Sequence, residues 1–171
     1  VNYLHIVWAD RAGNVGQQAG HYRILRGGFR VSSPSHPNPD MWYQNADAVF
    51  NWSTFPTASG YDALLDQQPN TVPDETNAKR LSATTIKYPN TPDGEWFFHV
   101  RPILSVGEPV VEHVKIRIDT AAPVVTSSTH PNQELWSSQA SATLSWKVNH
   151  PESVGKYYYK VDPNPTTVPT V

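Results

Sequence analysis

Seven histidines and fifteen aspartates and glutamates are the groups in this chain able to hold a metal ion or move a proton. A zinc site needs three or four ligands converging on one point, and the spacings that announce one, HxxxH and HExxH, are absent. Six of the histidines instead fall into sequence-related pairs: His5 with His99, His21 with His113, and His36 with His130. Asp66 and Asp162 each precede a turn rich in Pro and Asn, where a short carboxylate accepts backbone amides. Asp40 and Glu134 recur in a loop. No Ser, His and Asp grouping has the context of a nucleophile elbow, and no Gly-rich loop stands between a strand and a helix to cradle phosphate. The segment 9–14, ADRAGN, lacks the dense carboxylates of a calcium loop and reads as a hairpin turn around Asp10, Gly13 and Asn14. Asn51-Trp52-Ser53 is a glycosylation sequon placed in mid-strand, so no glycan is expected there. These residues predict no catalysis, no cofactor and no tightly held metal.

What the rest of the chain must position is set by a repeat. The segment 127–146, SSTHPNQELWSSQASATLSW, restates 33–52, SPSHPNPDMWYQNADAVFNW, and His36 and His130, Trp42 and Trp136, and Trp52 and Trp146 each stand 94 positions apart. A self-similar unit of this length is a domain rather than one turn of a solenoid. The expected units are 1–30, the C-terminal strands of a first repeat; 31–122, a complete repeat; and 123–171, the N-terminal strands of a third.

Composition agrees with a β-rich, turn-rich protein. Hydrophobic residues are 38% and charged residues 16%, with 16 prolines, and Pro and Asn mark turns while Val, Ile, Tyr and Trp fill strands. Net charge is −2 with no block of one sign, which points away from nucleic acid and anionic membranes as partners. No apolar run approaches the roughly 18 residues of a membrane span. Cysteine is absent, which removes disulfides and thiolate chemistry.

Strand alternation places Leu4, Ile6 and Trp8 on one face of 2–8, Ala48, Phe50 and Trp52 on one face of their strand, Ala142, Leu144 and Trp146 on the equivalent face, and Trp96, Phe98 and Val100 likewise. Further strands are expected at 21–24, 60–66, 113–118 and 155–162, and a weaker one rich in Thr and Ser at 81–86. About seven short strands per unit, with one wet and one buried face each, predict an all-β fold: tandem antiparallel sandwiches of two sheets.

At this point the chain resembles the fibronectin type III (immunoglobulin-like) family. The resemblance rests on the Trp of the second strand (Trp52), the Tyr of the third (Tyr61), the Trp96-x-Phe98-x-Val100 strand and the linking Pro123. More narrowly, the motifs THPxxxxW, LDQxPxTVPD, GEWFFHVR and AGHYRI resemble the tandem repeats of secreted and surface proteins of bacteria and archaea. It spans the whole chain, with three departures: Asn2 stands where Trp96 would, Gly27-Gly28-Phe29 replaces the 119–123 linker, and Arg101-Pro102 interrupts the sixth strand. The resemblance implies an extracellular or cell-surface protein.

Aromatic residues are the remaining signal. Trp52, Trp146, Trp96, Phe98 and Tyr61 are expected in cores, with Trp52 and Phe98 touching across the sandwich. Trp42 and Trp136 follow the His-Pro turn, either as plugs at one end of the sandwich, the favoured reading, or as exposed sugar-stacking surfaces; with Trp8 they are the candidate ligand or interface residues. The leading expectation is a non-catalytic spacer, stalk, surface-layer or filament element. The alternative is an adhesin or a carbohydrate-binding accessory to a secreted hydrolase, with polysaccharide as partner. By repeat alignment only the counterparts of 76–94 are missing from a second full period, so 1–30 and 123–171 expose Leu4, Ile6, Trp8, Leu144, Trp146 and Tyr159 unless something covers them. That is expected of a piece cut from a longer array, or of chains that join head to tail.

Overall fold

The computed structural model describes residues 2–6, 20–24, 28–107 and 110–170, and the structural statements below concern those; Trp8 lies outside them. The strands are β1 (Asn2–Ile6), β2 (Gly20–Ile24), β3 (Val31–Ser32), β4 (Trp42–Tyr43), β5 (Ala48–Trp52), β6 (Gly60–Asp66), β7 (Lys79–Leu81), β8 (Thr85–Tyr88), β9 (Gly94–Ile103), β10 (Glu112–Ile118), β11 (Val124–Ser127) and β12 (Leu144–Lys147). A single 3-10 turn at Pro151–Ser153 is the helical content of the described residues. The fold class is all-β.

Two sheets carry the core. One has the order β3-β5-β8 and the other β4-β10-β9-β6-β7, antiparallel except for β4, which runs parallel to β10. They face one another through aromatic side chains. Phe50 of β5 stacks on Phe98 of β9 with ring centroids 4.1 Å apart, and Trp52 meets the same Phe98 at 5.8 Å. Ala48, Phe50 and Trp52 alternate with Val49 and the exposed Asn51, so β5 has one buried face, as its period of two requires. Phe29, Tyr61, Ala63, Val100, Ile116 and Ile118 complete the core. Gly60 at the head of β6 fits where a side chain could not, since a Cβ there would stand 2.9 Å from the Leu81 carbonyl oxygen.

Three strand expectations are corrected. The single strand expected over 81–86 is two, β7 and β8, which join different sheets, so the chain crosses the sandwich between them. Pro102 does not interrupt β9, which runs on to Ile103; the ladder with β10 ends at the Val100–Glu112 pair, so Pro102 faces only β6 and no bond to β10 is lost at it. Residues 155–162 form no strand, because no neighbouring strand offers that segment a ladder in which to satisfy its backbone.

Two further sheets have two strands each. β1 and β2 form an antiparallel hairpin whose pairs include Leu4 with Tyr22 and His5 with His21. β11 and β12 form another, pairing Val125 with Trp146 and Thr126 with Ser145. The same pairing occurs in the main body as Val31 with Trp52 and Ser32 with Asn51.

Candidate functional site

The chemistry-bearing residues collect in three places: the turn ahead of β5, the outer face of the five-stranded sheet, and the aromatic surface of residues 124–170. In the first, Ser33 Oγ donates to the Val49 carbonyl and accepts from the His36 amide, at 2.8 and 3.1 Å. The Val49 amide donates to Ser35 Oγ at 2.8 Å. His36 is buried; its Nε2–H donates to the Asn45 carbonyl at 3.0 Å, which leaves Nδ1 to accept from Ser35 Oγ at 2.8 Å. Burial lowers the His36 pKa and outweighs the raising effect of Asn45, so the ring is neutral and serves as a latch between the turn and β5. The latch recurs around His130: its amide donates to Ser127 Oγ at 2.9 Å, its Nδ1 lies 2.9 Å from Thr129 Oγ1, and the Thr143 amide donates to that same oxygen.

Alternation along β6, β9 and β10 puts Asp62, Asp66, His99, Arg101 and His113 on the face turned away from the core. Asp62 is fully buried and lies 3.0 Å from both Arg80 Nε and Arg101 Nη2. Burial alone would raise its pKa, but the two guanidiniums prevail and hold it below the usual carboxylate range. Next to it runs a chain of three groups: Asp66 Oδ1 lies 3.1 Å from His99 Nε2, and His99 Nδ1 lies 2.6 Å from His113 Nδ1. Burial opposes ionisation of Asp66 too, and is outweighed by hydrogen bonds from Thr71, the Gln68 amide and His99. The His113 pKa is lowered, first by burial and then by His99. Two nitrogens so close need one donor and one acceptor, so the two rings cannot both be charged.

An Asp-His-His chain has the outline of a proton relay, but it ends at His113 with no hydroxyl or thiol nucleophile hydrogen-bonded to it among the described residues. No group of three or more His, Cys, Asp or Glu side chains among the described residues is placed to hold a metal ion. Tyr88, pushed up to about 12 by burial, keeps its proton at neutral pH. Both clusters join strands: Asp62 links β6 to β7 and β9, and the Asp66-His99-His113 chain links β6, β9 and β10. Sequence reasoning paired these histidines across repeats and missed that they meet within one unit. The signal was present, since Asp62–Arg101 and His99–His113 are cross-strand partners of matching parity.

The expected core aromatics divide. Trp52, Phe98 and Tyr61 are buried, and Tyr61 Oη accepts from the Phe55 amide at 2.8 Å. Trp96 packs partly buried against the core, its Nε1–H donating to the Pro92 carbonyl at 2.8 Å. Trp146, expected in a core, is 48% exposed where its counterpart Trp52 is 6%. Leu144, Tyr157, Tyr159 and Val161 are exposed with it. Among the described residues β11 and β12 pair only with each other, and the buried core cluster includes none of their side chains.

Trp42 and Trp136 also divide. Trp42 is half-buried, stacked on His150 with centroids 3.8 Å apart, and Arg117 sits 5.8 Å from its ring. It thus ties β4 to the loop after β12. Trp136, expected as a plug, is fully exposed. A scan against protein-family models and a search of curated proteins each return no match for this chain.

Proposed function

We propose that this chain is a non-catalytic structural module, a spacer, stalk or filament element of fibronectin type III-like sandwiches joined in series outside the cell. The observation that carries this reading is the duplicated latch. The Ser33-Ser35-His36 turn and its bonds to Val49 recur, residue for residue, in Ser127, Thr129, His130 and Thr143, with the adjoining strands in the same register. Tandem copies of one packed unit are what a spacer needs, and the ionisable clusters of the 28–119 unit are spent on holding strands together. The strand order also supports the reading, with β3-β5-β8 facing β10-β9-β6-β7 as the family resemblance implies. An extracellular location follows from that same resemblance.

The second reading, a carbohydrate-binding module or adhesin, has one observation in its favour: Trp136 is fully exposed beside the exposed Leu135. A glycan array probed with the chain and with Trp136→Ala separates the two. The spacer reading expects no saturable binding by either protein. Binding to a polysaccharide that Trp136→Ala removes would replace it with the second.

A further inference from the structure

We propose that the linker 119–123 and the stack of His150 on Trp42 form a stiff joint, which fixes the direction in which the unit beginning at β11 leaves the 28–119 sandwich. This rests on the tandem-sandwich reading and adds what sets the angle between consecutive units. Linked domains ordinarily move relative to one another, because the interfaces between them are small and polar. Here the linker itself is tied down. The Asp119 amide donates to the Tyr43 carbonyl at 2.9 Å, and the Thr120 amide and hydroxyl both donate to Asp93 Oδ1, at 2.9 and 2.8 Å. The Ala121 amide donates to Asp119 Oδ1 at 3.3 Å. Pro123 then restricts φ immediately before β11 starts at Val124. No glycine stands in 119–123, so the chain leaves the sandwich without a free hinge.

The second tie is aromatic. Trp42 is positioned by the sandwich: β4 pairs with β10 at Trp42 and Arg117, and Arg117 is itself held by Glu95 at 2.9 Å and by the Asp40 carbonyl at 3.3 Å. A ring placed in this way offers a fixed face. The His150 imidazole lies on that face with centroids 3.8 Å apart and planes 24° from parallel. His150 is placed in turn by its own loop, since it opens the 3-10 turn Pro151–Ser153 and its Nδ1 lies 3.3 Å from Glu152 Oε1. Beside the stack, Trp42, Tyr43, Asp119, Pro123, Val148 and Val154 line one cleft, so side chains from both sides of the linker meet there. One aromatic stack is a weak contact between free molecules. The pinned linker makes it intramolecular and supplies His150 at a high effective concentration, so the stack need add only the last restraint.

The chain has no cysteine, so two introduced cysteines carry spin labels at known places in the 171-residue protein. Asn70→Cys, in the exposed turn after β6, and Thr126→Cys, on β11, report one distance across the joint by double electron–electron resonance. The doubly labelled chain is expected to give a single narrow distance distribution. Adding His150→Ala or Asp93→Ala broadens it, the first by removing the stack and the second by freeing the linker, while His150→Phe keeps the stack and keeps the distribution narrow. A broad distribution without these substitutions overturns the proposal. So does one that stays narrow in either alanine variant, or one that His150→Phe broadens as much as His150→Ala does. Circular dichroism melting of each variant checks that the 28–119 sandwich is unaltered. A broad distribution in a chain that binds no glycan sinks this inference and leaves the spacer reading; a narrow one in a chain that binds a glycan does the reverse.

Discussion

At the scale of single residues, the ionisable groups with shifted pKa values link folding to pH. His36 and His113 have lowered pKa values, so below the ordinary histidine value of 6.5 the unfolded chain takes up protons that the folded chain refuses. Their contribution is complete above that value and declines as pH falls through it toward the folded pKa. Asp62 and Asp66 are held below the ordinary carboxylate value of 3.8, so their contribution is complete above it and is lost as pH falls through the folded values. Urea denaturation across pH should therefore show a plateau above neutrality, a first decline beginning near 6.5 and a second below about 4. The first decline should shrink in His36→Gln. Stability that is constant from neutrality down to the carboxylate range would contradict the lowered pKa values of these two imidazoles.

At the scale of elements, the same aromatic position has two different values. Trp52 on β5 is sealed beneath Phe98, and Trp52→Ala should cost about 3–5 kcal/mol in denaturant melts of the chain. Trp146 on β12 stands half in water, and Trp146→Ala in dilute solution should cost well under half as much. Equal losses would mean that β12 is covered as β5 is. Strands β5 and β9 were legible because each keeps one buried face: Ala48-x-Phe50-x-Trp52 and Trp96-x-Phe98-x-Val100 announce both their period and their inward side. Less legible was the division of 79–88 between β7 and β8, because 82–85, Ser-Ala-Thr-Thr, carries no apolar alternation to mark where one strand stops and the next begins. Pro102 misled because Pro is excluded from strands only where a ladder needs its missing N–H. The buried polar fasteners were hidden for a different reason. Alternation tells which face Asp62 and His99 occupy, but not that the outer face is covered there, so charged residues on it read as solvated.

At the scale of the whole molecule, the repeat told which residues are equivalent but not what surrounds them. His130 keeps the latch of His36, since that latch is built from neighbours within about fifteen residues. Trp146 and Trp136 do not keep the burial of Trp52 and Trp42, since that burial comes from β9 in one case and from His150 in the other. Local hydrogen bonds travel with the sequence; burial depends on what packs against it. The described residues thus hold one closed two-sheet sandwich, 28–119, and a two-stranded sheet with exposed aromatic residues at 124–170. Hydrogen exchange read by mass spectrometry on the dilute 171-residue chain tests this most directly. Residues 48–52, 94–103 and 112–118 should be protected, while 144–147 and 155–162 should exchange fast. Protection of 144–162 equal to that of 94–103 in the dilute chain, or fast exchange of 94–103 itself, would contradict the account.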